Sequence, residues 1–296
     1  MNACEPPTAG DGDEIVAPST VCRPSSAAVS ALLFASPHSG RIYPRHLLEA
    51  ARIAPPIIRR SEDAYVDYLI AGAPDCGITT ISARLARAYL DVNRGPWELD
   101  PRMFEDELPA QARTRTARVA AGLGVIPRTV GDDMDIYARK LTFAEAQARI
   151  AAVHHPYHAA VTALMADIRR EHGLVILIDW HSMPARAARH AFGGGGCDMV
   201  LGDRFGASCS PAILRSIERH LQDLGYRVAR NAPYAGGYTT EHYGRPEQRT
   251  HALQIEINRA LYLDEDILAL TTGFATLKTQ LGRLFARLSG MDWASV

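Results

Sequence analysis

No apolar run in this 296-residue chain approaches the roughly 20 residues needed to span a bilayer, so a transmembrane helix is excluded as its organising element. Charge of one sign is also missing. The 32 Lys and Arg residues against 33 Asp and Glu give a formal charge of −1, which gives neither nucleic acid nor an anionic membrane an electrostatic claim on the surface. Cysteine is scarce: Cys4, Cys22, Cys76, Cys197 and Cys209 are odd in number and lack C-x-x-C spacing. That pattern argues against a disulfide framework or a structural zinc knot and predicts reduced thiols in a cytoplasmic protein. The first residues carry Glu5, Asp11, Asp13 and Glu14 instead of the basic start and apolar centre of a secretory signal.

Other familiar signatures are absent as well. The run Gly193-Gly194-Gly195-Gly196 reads as a flexible loop, because it lacks the strand–G-x-G-x-x-G–helix context of a dinucleotide site. His154 and His158 lie one helical turn apart, but no Glu follows His154, so H-E-x-x-H fails and both read as supporting or surface histidines. There is no internal repeat. Residues 1–27, rich in Pro, Ser, Ala and acids without periodicity, read as a mobile tail. Residues 28–296 read as a single domain, and a 47% hydrophobic content is enough for a large core.

What is present is an alternation of strand-like and helix-like segments, the pattern of an α/β fold. Strands are expected at 30–35, 77–82, 88–92, 174–179, 198–202, 226–230 and 252–257, and helices at 62–72, 143–171, 210–224 and 264–288. Pro156 should kink or restart the second helix. Thr142 with Glu145 three residues on forms a capping-box pattern. Ser61 is a plausible N-cap for the first helix. Ile267, Leu270, Phe274, Leu277, Leu281 and Leu284 make a helical stripe in the last. The stretch 95–140, mixed in Pro, Gly, Arg and acids, reads as an excursion over the active face.

The chemistry-bearing residues cluster at predicted strand ends, where open α/β sheets place their ligand sites. The apolar run 174–178 leads into Asp179-Trp180-His181-Ser182, and the run 31–35 into Ser36-Pro37-His38-Ser39-Gly40. Catalytic zinc takes three ligands from His, Asp and Glu and keeps one position open. His38 and His181 are the candidate nitrogen ligands, and Glu62 or Asp63 the candidate acid. Glu256 lies on the polar face of an alternating strand, with Gln254 and Asn258 against Leu253, Ile255 and Ile257. It is the candidate general base, and Arg259 is expected on the opposite face. Asn93-Arg94 offers a planar fork and an amide for a substrate carboxylate, which points to an anionic substrate. Residues 231–238 suit a substrate-covering loop, with Tyr238 as its polar tip.

Taken together and in this order, the residues resemble the N-formylglutamate amidohydrolase family over roughly residues 30–265. The carriers are Ser36-Pro37-His38-Ser39-Gly40, Ser61-Glu62-Asp63, Arg87 with Asp91-Val92-Asn93-Arg94, and Pro156-Tyr157-His158. They continue with Asp179-Trp180-His181-Ser182-Met183-Pro184, Leu201-Gly202-Asp203-Arg204, residues 231–238 and Gln254-Ile255-Glu256-Ile257-Asn258-Arg259. The resemblance implies a fold similar to zinc carboxypeptidases and aspartoacylases, a three-layer αβα arrangement with a mixed, mostly parallel central sheet. It also implies one zinc ion per chain and hydrolysis of a small anionic N-acyl amino acid. Relatives of this kind commonly use His-x-x-Glu plus a distant His. Here Arg41 stands third after His38, so the acid comes from Glu62 or Asp63. Asp63 matches the family pattern, and Glu62 resembles the carboxypeptidase ligand type. Asn93 and Arg94 resemble a carboxylate-holding pair, and Arg87 an arginine that polarises the scissile carbonyl. The expected reaction cleaves N-formyl-L-glutamate to formate and L-glutamate, the last step of one histidine-degradation route. The alternatives are another N-acyl amino acid or small peptide, or a non-catalytic binding protein on the same scaffold. No oligomeric state follows from the sequence.

Overall fold

Runs of apolar and β-branched residues form the strands of the computed structural model, which describes residues 17–25, 29–131, 134–189 and 195–296. Seven strands make one sheet: β1 (Ser19–Cys22), β2 (Leu32–Ser36), β3 (Thr79–Ala83), β6 (Val175–Met183), β7 (Met199–Gly202), β8 (Val228–Arg230) and β9 (Thr250–Asn258). Two small hairpins stand apart, β4–β5 (Thr129–Val130 with Met134–Asp135) and β10–β11 (Leu263–Asp264 with Ala269–Leu270). The sheet order is β1-β3-β2-β6-β9-β7-β8. β1 pairs antiparallel with β3 and β7 antiparallel with β9, and the other neighbours are parallel.

Period-two alternation splits each central strand between two cores. Leu32, Phe34, Ile176, Ile178, Trp180, Leu253, Ile255 and Ile257 pack on one face against the helices Val66–Ile70, Pro211–Asp223 and Gly273–Ser289. Leu33, Ala35, Val175, Leu177 and Ala252 pack on the other, against Tyr157, Val161, Leu164 and Ile168 of the helix His155–His172. The result is the expected α/β fold, a mixed and mostly parallel sheet between two helical layers. Among the described residues no helix is long and apolar enough to cross a membrane.

Several local expectations hold. Thr142 and Glu145 form the reciprocal capping box at the start of the helix Phe143–Arg149. Pro156 is accommodated by a π turn, Ile150–His154, after which the chain continues as the helix His155–His172. From the 95–140 excursion, Arg118, Leu123, Pro127 and Thr129 to Gly131 line the cavity that also holds His38 and His181.

Others need correcting. Residues 19–22, expected inside the tail, form the edge strand β1, because Thr20 and Val21 find partners in Ser82 and Ile81 across the sheet; residues 1–16 lie outside the described residues. Cys22 is disulfide-bonded, so not all thiols are reduced, while Cys76, Cys197 and Cys209 are free. The segment 88–92 runs through turns, since the Tyr89 and Leu90 N–H groups donate to the Ala86 carbonyl and the Asp91 N–H to the Val125 carbonyl. Ser61 ends a short 3-10 turn, with its hydroxyl on the Ile58 carbonyl, and the following helix starts only at Val66. The last helix begins at Gly273, because residues 263–270 fold back as β10–β11 and leave Ile267 72% exposed. Half of the tetraglycine run, Gly193 and Gly194, lies outside the described residues.

Candidate active site

The strand β6 runs through Met183 because β9 stays in register beside it, from Val175 opposite Thr250 to Met183 opposite Asn258. Asp179 and His181 therefore sit within the strand and share one face, while Trp180 between them points into the opposite core. His38 follows β2, the parallel neighbour of β6 on its other side. Asp63 is tied to it through the backbone, its N–H donating to the His38 carbonyl at 2.9 Å.

These placements bring three donors together. His38 Nδ1 lies 3.3 Å and His181 Nδ1 2.9 Å from the same Asp63 oxygen, Oδ2. One ligand atom from each of the three buried residues falls within 4.8 Å of the others. The far ring nitrogens are both occupied by acids: His38 Nε2 donates to Asp91 Oδ1 at 2.7 Å and His181 Nε2 to Asp179 Oδ2 at 2.9 Å. A carboxylate on Nε2 fixes the tautomer and leaves Nδ1 as the lone-pair donor, the arrangement that orients metal-ligating histidines. Two such nitrogens and one carboxylate oxygen, buried at a cavity wall, are a donor set that fits zinc.

The electrostatics agree with that reading. Burial opposes charge on Asp63, but the hydrogen bonds of His181 and His38 outweigh it and hold the carboxyl well below the usual range. Burial likewise opposes charge on His181, yet Asp179 and Asp63 on its two sides hold the ring well above the usual imidazole range. A proton trapped between carboxylates in this way is the charge that a bound cation displaces.

Glu62 points elsewhere. Its Oε1 accepts from the Tyr43 hydroxyl at 2.5 Å and from Arg59 Nε at 3.1 Å, outside the cluster. Glu256 does line the cavity, about 460 Å³ in volume, together with His38, Asp63 and His181. Burial pushes its carboxyl up to about 7; His181 pulls it down, Asp63 raises it, and Arg259 and Arg87 pull it down. Gln254 Nε2 donates to its Oε1 at 2.9 Å.

Arg87 and Arg94 line the same cavity. Arg87 Nη2 donates to Asp91 Oδ2 at 2.6 Å, so one aspartate holds both this guanidinium and the His38 ring. Asn93 also lines it, but its amide is engaged: Nδ2 donates to Asp179 at 3.2 Å and Oδ1 accepts from the Thr239 N–H at 2.8 Å. Gly237 packs against that amide, and a Cβ there would stand 2.5 Å from Asn93 Nδ2. His154 and His158 hold the backbone of the segment, donating through Nε2 to the carbonyls of Arg94 and Val92 at 2.9 and 2.8 Å.

Besides the engaged amide of Asn93, expected to hold a substrate carboxylate, two placements differ from expectation. Tyr238 starts the helix Tyr238–Tyr243 and packs on His242, His158 and His154 behind the cavity; the tyrosine of this loop that lines the cavity is Tyr234. Arg259 does not point away from Glu256. The strand ends at Asn258, and Arg259 opens a 3-10 turn from which Nη2 reaches Asp63 Oδ1 at 3.0 Å and Nε reaches Ser182 Oγ at 3.0 Å. No part beside the rings is expected from sequence for Asp91 or Asp179; Asp179 carried a signal, two residues before His181 on the same strand face, whereas Asp91 meets His38 only through the fold, across 53 residues.

The N-formylglutamate amidohydrolase family profile matches residues 30–263. An N-formylglutamate deformylase of Pseudomonas aeruginosa is 32% identical over 241 residues, 79% of this chain and 82% of that protein. One from Pseudomonas putida is 27% identical over the same length. The crystal structure of an N-formylglutamate amidohydrolase from Ralstonia eutropha superposes with a TM-score of 0.87 at 37% identity, covering 95% of this chain and 100% of that one.

Proposed function

The chain belongs to the N-formylglutamate amidohydrolase family, and on that premise we propose that it is a zinc-dependent hydrolase that cleaves N-formyl-L-glutamate to formate and L-glutamate. The observation that carries this reading is the convergence of His38 Nδ1, His181 Nδ1 and Asp63 Oδ2 at the wall of one cavity that also holds Glu256 and a set of arginines. Asp63, not Glu62, is the acid ligand we assign, because Glu62 is already engaged by Tyr43 and Arg59. One zinc ion per chain, when bound there, supplies a Lewis acid at the scissile carbonyl and acidifies water.

Glu256 takes the proton from the attacking water as its oxygen adds to the formyl carbon. The same carboxyl then gives that proton to the departing nitrogen as the C–N bond breaks, leaving the amine of L-glutamate and formic acid, whose remaining acidic proton passes to the amine or to water to give formate. A carboxyl lifted to about 7 suits both halves of this transfer near neutral pH. Arg87, fixed by Asp91, faces the charge that develops on the carbonyl oxygen, help worth about 3–4 kcal/mol per well-placed donor. Arg94 clamps the substrate α-carboxylate. Asn93, with its amide engaged by Asp179 and the Thr239 N–H, holds that wall in place. Tyr234 on the 231–237 loop covers the cavity.

The biological setting we propose is the last step of one histidine-degradation route, in the cytoplasm. The free thiols Cys76, Cys197 and Cys209 support a reducing compartment, and the Cys22 disulfide does not. The deciding experiment is formate release from N-formyl-L-glutamate by the purified protein, with and without a chelator. Turnover that survives complete removal of metal would refute the zinc assignment, and activity only on other N-acyl amino acids would refute the substrate.

A further inference from the structure

The cavity carries more positive charge than one carboxylate can use. Five guanidinium groups line it, those of Arg60, Arg87, Arg94, Arg118 and Arg259, against the carboxylates of Asp63 and Glu256. Two of the five have close acidic partners: Arg87 is 2.6 Å from Asp91 and Arg259 is 3.0 Å from Asp63. Asp91 stands 3.9 Å from Arg94, and its two oxygens already receive Arg87, His38 and the Asn93 N–H. Arg118 stands 3.8 Å from Glu98, whose oxygens already accept from the Gly95 N–H and the Thr116 hydroxyl.

Arg87 and Arg94 both stand on Asp91, at 2.6 and 3.9 Å, and the same aspartate holds the ring of the candidate ligand His38. Arg118 is held instead beside Glu98, at 3.8 Å, and on the Gly236 carbonyl, and it is near enough for Arg94 to feel it as a like charge. A substrate with its scissile carbonyl at Arg87 and its α-carboxylate at Arg94 has its side chain left to extend toward Arg118. That guanidinium is held in place, since Nη2 donates to the Gly236 carbonyl at 3.1 Å, and its side chain is only 28% exposed. Arg60, with no close acid among the described residues, is exposed at the rim.

Resting on the function proposed above, we propose that Arg118 is the specificity-determining residue that pairs with the side-chain carboxylate of the substrate, so the enzyme prefers N-acylated acidic amino acids to their neutral amides. Two adjacent, weakly compensated guanidiniums match two carboxylates separated by a short methylene chain. A neutral side chain would leave Arg118 half-buried with no full partner, which is a cost of binding.

The test compares kcat and KM for N-formyl-L-glutamate and N-formyl-L-glutamine in the wild type and in R118A, R118K and R60A. R118A is expected to raise KM for the glutamate substrate by roughly tenfold to a hundredfold, the worth of a hydrogen bond to a charged group, with a much smaller change for the glutamine substrate. R118K should restore part of the preference, and R60A should keep the wild-type ratio of the two substrates. If R118A does not fold, R118Q carries the same comparison. Because Arg118 also ties down the Gly236 carbonyl, a purely structural role predicts equal losses on both substrates; that outcome, or a selective loss in R60A, overturns the assignment while the proposed function stands. A wild-type enzyme that releases no formate from N-formyl-L-glutamate overturns both.

Discussion

His181 and Glu256 are register partners on the parallel strands β6 and β9. Neighbouring strands lie about 4.8 Å apart and residues in register share a face, so backbone pairing alone sets the candidate ligand beside the candidate base. His38, at the end of the strand on the other side of β6, closes the arrangement. The sheet thus fixes two of the three candidate ligands and the base before any side-chain contact forms. Asp63 is then added by the chain that crosses to the helix Val66–Ile70.

Glu256→Gln keeps the shape and hydrogen bonding of the side chain and removes only its basicity. We expect kcat to fall by roughly a hundredfold to ten-thousandfold, the usual weight of a positioned general base, with bound metal unchanged. Near-normal turnover would remove Glu256 from the mechanism.

The two neighbouring acids separate cleanly by metal content. Asp63→Asn and His181→Ala should lose zinc in elemental analysis of dialysed protein. Glu62→Gln should retain it and instead lower the melting temperature, since Tyr43 and Arg59 lose their partner. Zinc lost from the Glu62 variant and kept by the Asp63 variant would reverse the assignment.

Asp179 and Asp91 act through the rings they hold. Asp179→Asn and Asp91→Asn should each weaken zinc affinity by about tenfold to a hundredfold in a competition titration, as loss of a histidine's carboxylate partner generally does. Unchanged affinity in both variants would mean that the acids only fill space.

Acid should destabilise the fold before carboxylates are protonated. Burial lowers the His154 imidazole to about 4 and the His158 imidazole to about 3, against 6.5 in the unfolded chain. Between those values the unfolded chain binds more protons, so stability is complete above pH 6.5 and falls as pH drops below it, by up to about 1.4 kcal/mol per pH unit for each ring. Denaturant melts between pH 7.5 and 4.5 should show this slope, and His158→Gln, though less stable at pH 7.5, should show a shallower one. Equal slopes in the two proteins would contradict the buried neutral imidazoles.

Much of this was legible in one dimension because it depends on local pattern. The apolar runs ending in His38 and His181 and the alternation around Glu256 are strand signals, and the Thr142–Glu145 box is a turn of helix with its own cap. The errors fall where a distant partner decides. Residues 88–92 have strand composition, but the Tyr89, Leu90 and Asp91 N–H groups are taken by the Ala86 and Val125 carbonyls, while residues 19–22 pair with β3. The composition of 231–238 points to Tyr238, yet helix formation at that residue turns it toward the histidines of the helix layer and leaves Tyr234 at the cavity.

The order of residues by itself determined the α/β class, a histidine just after one strand and another near the end of a second, and Glu256 on the polar face of its strand, because periodicity is a property of contiguous chain. Only the folded molecule gathered Asp63 rather than Glu62 with the two histidines, recruited Asp91 and Arg259, and brought five arginines to one cavity. Those choices depend on which side chains meet across tens to hundreds of residues, and distances of that kind are set by the packing of the sheet against its two helical layers.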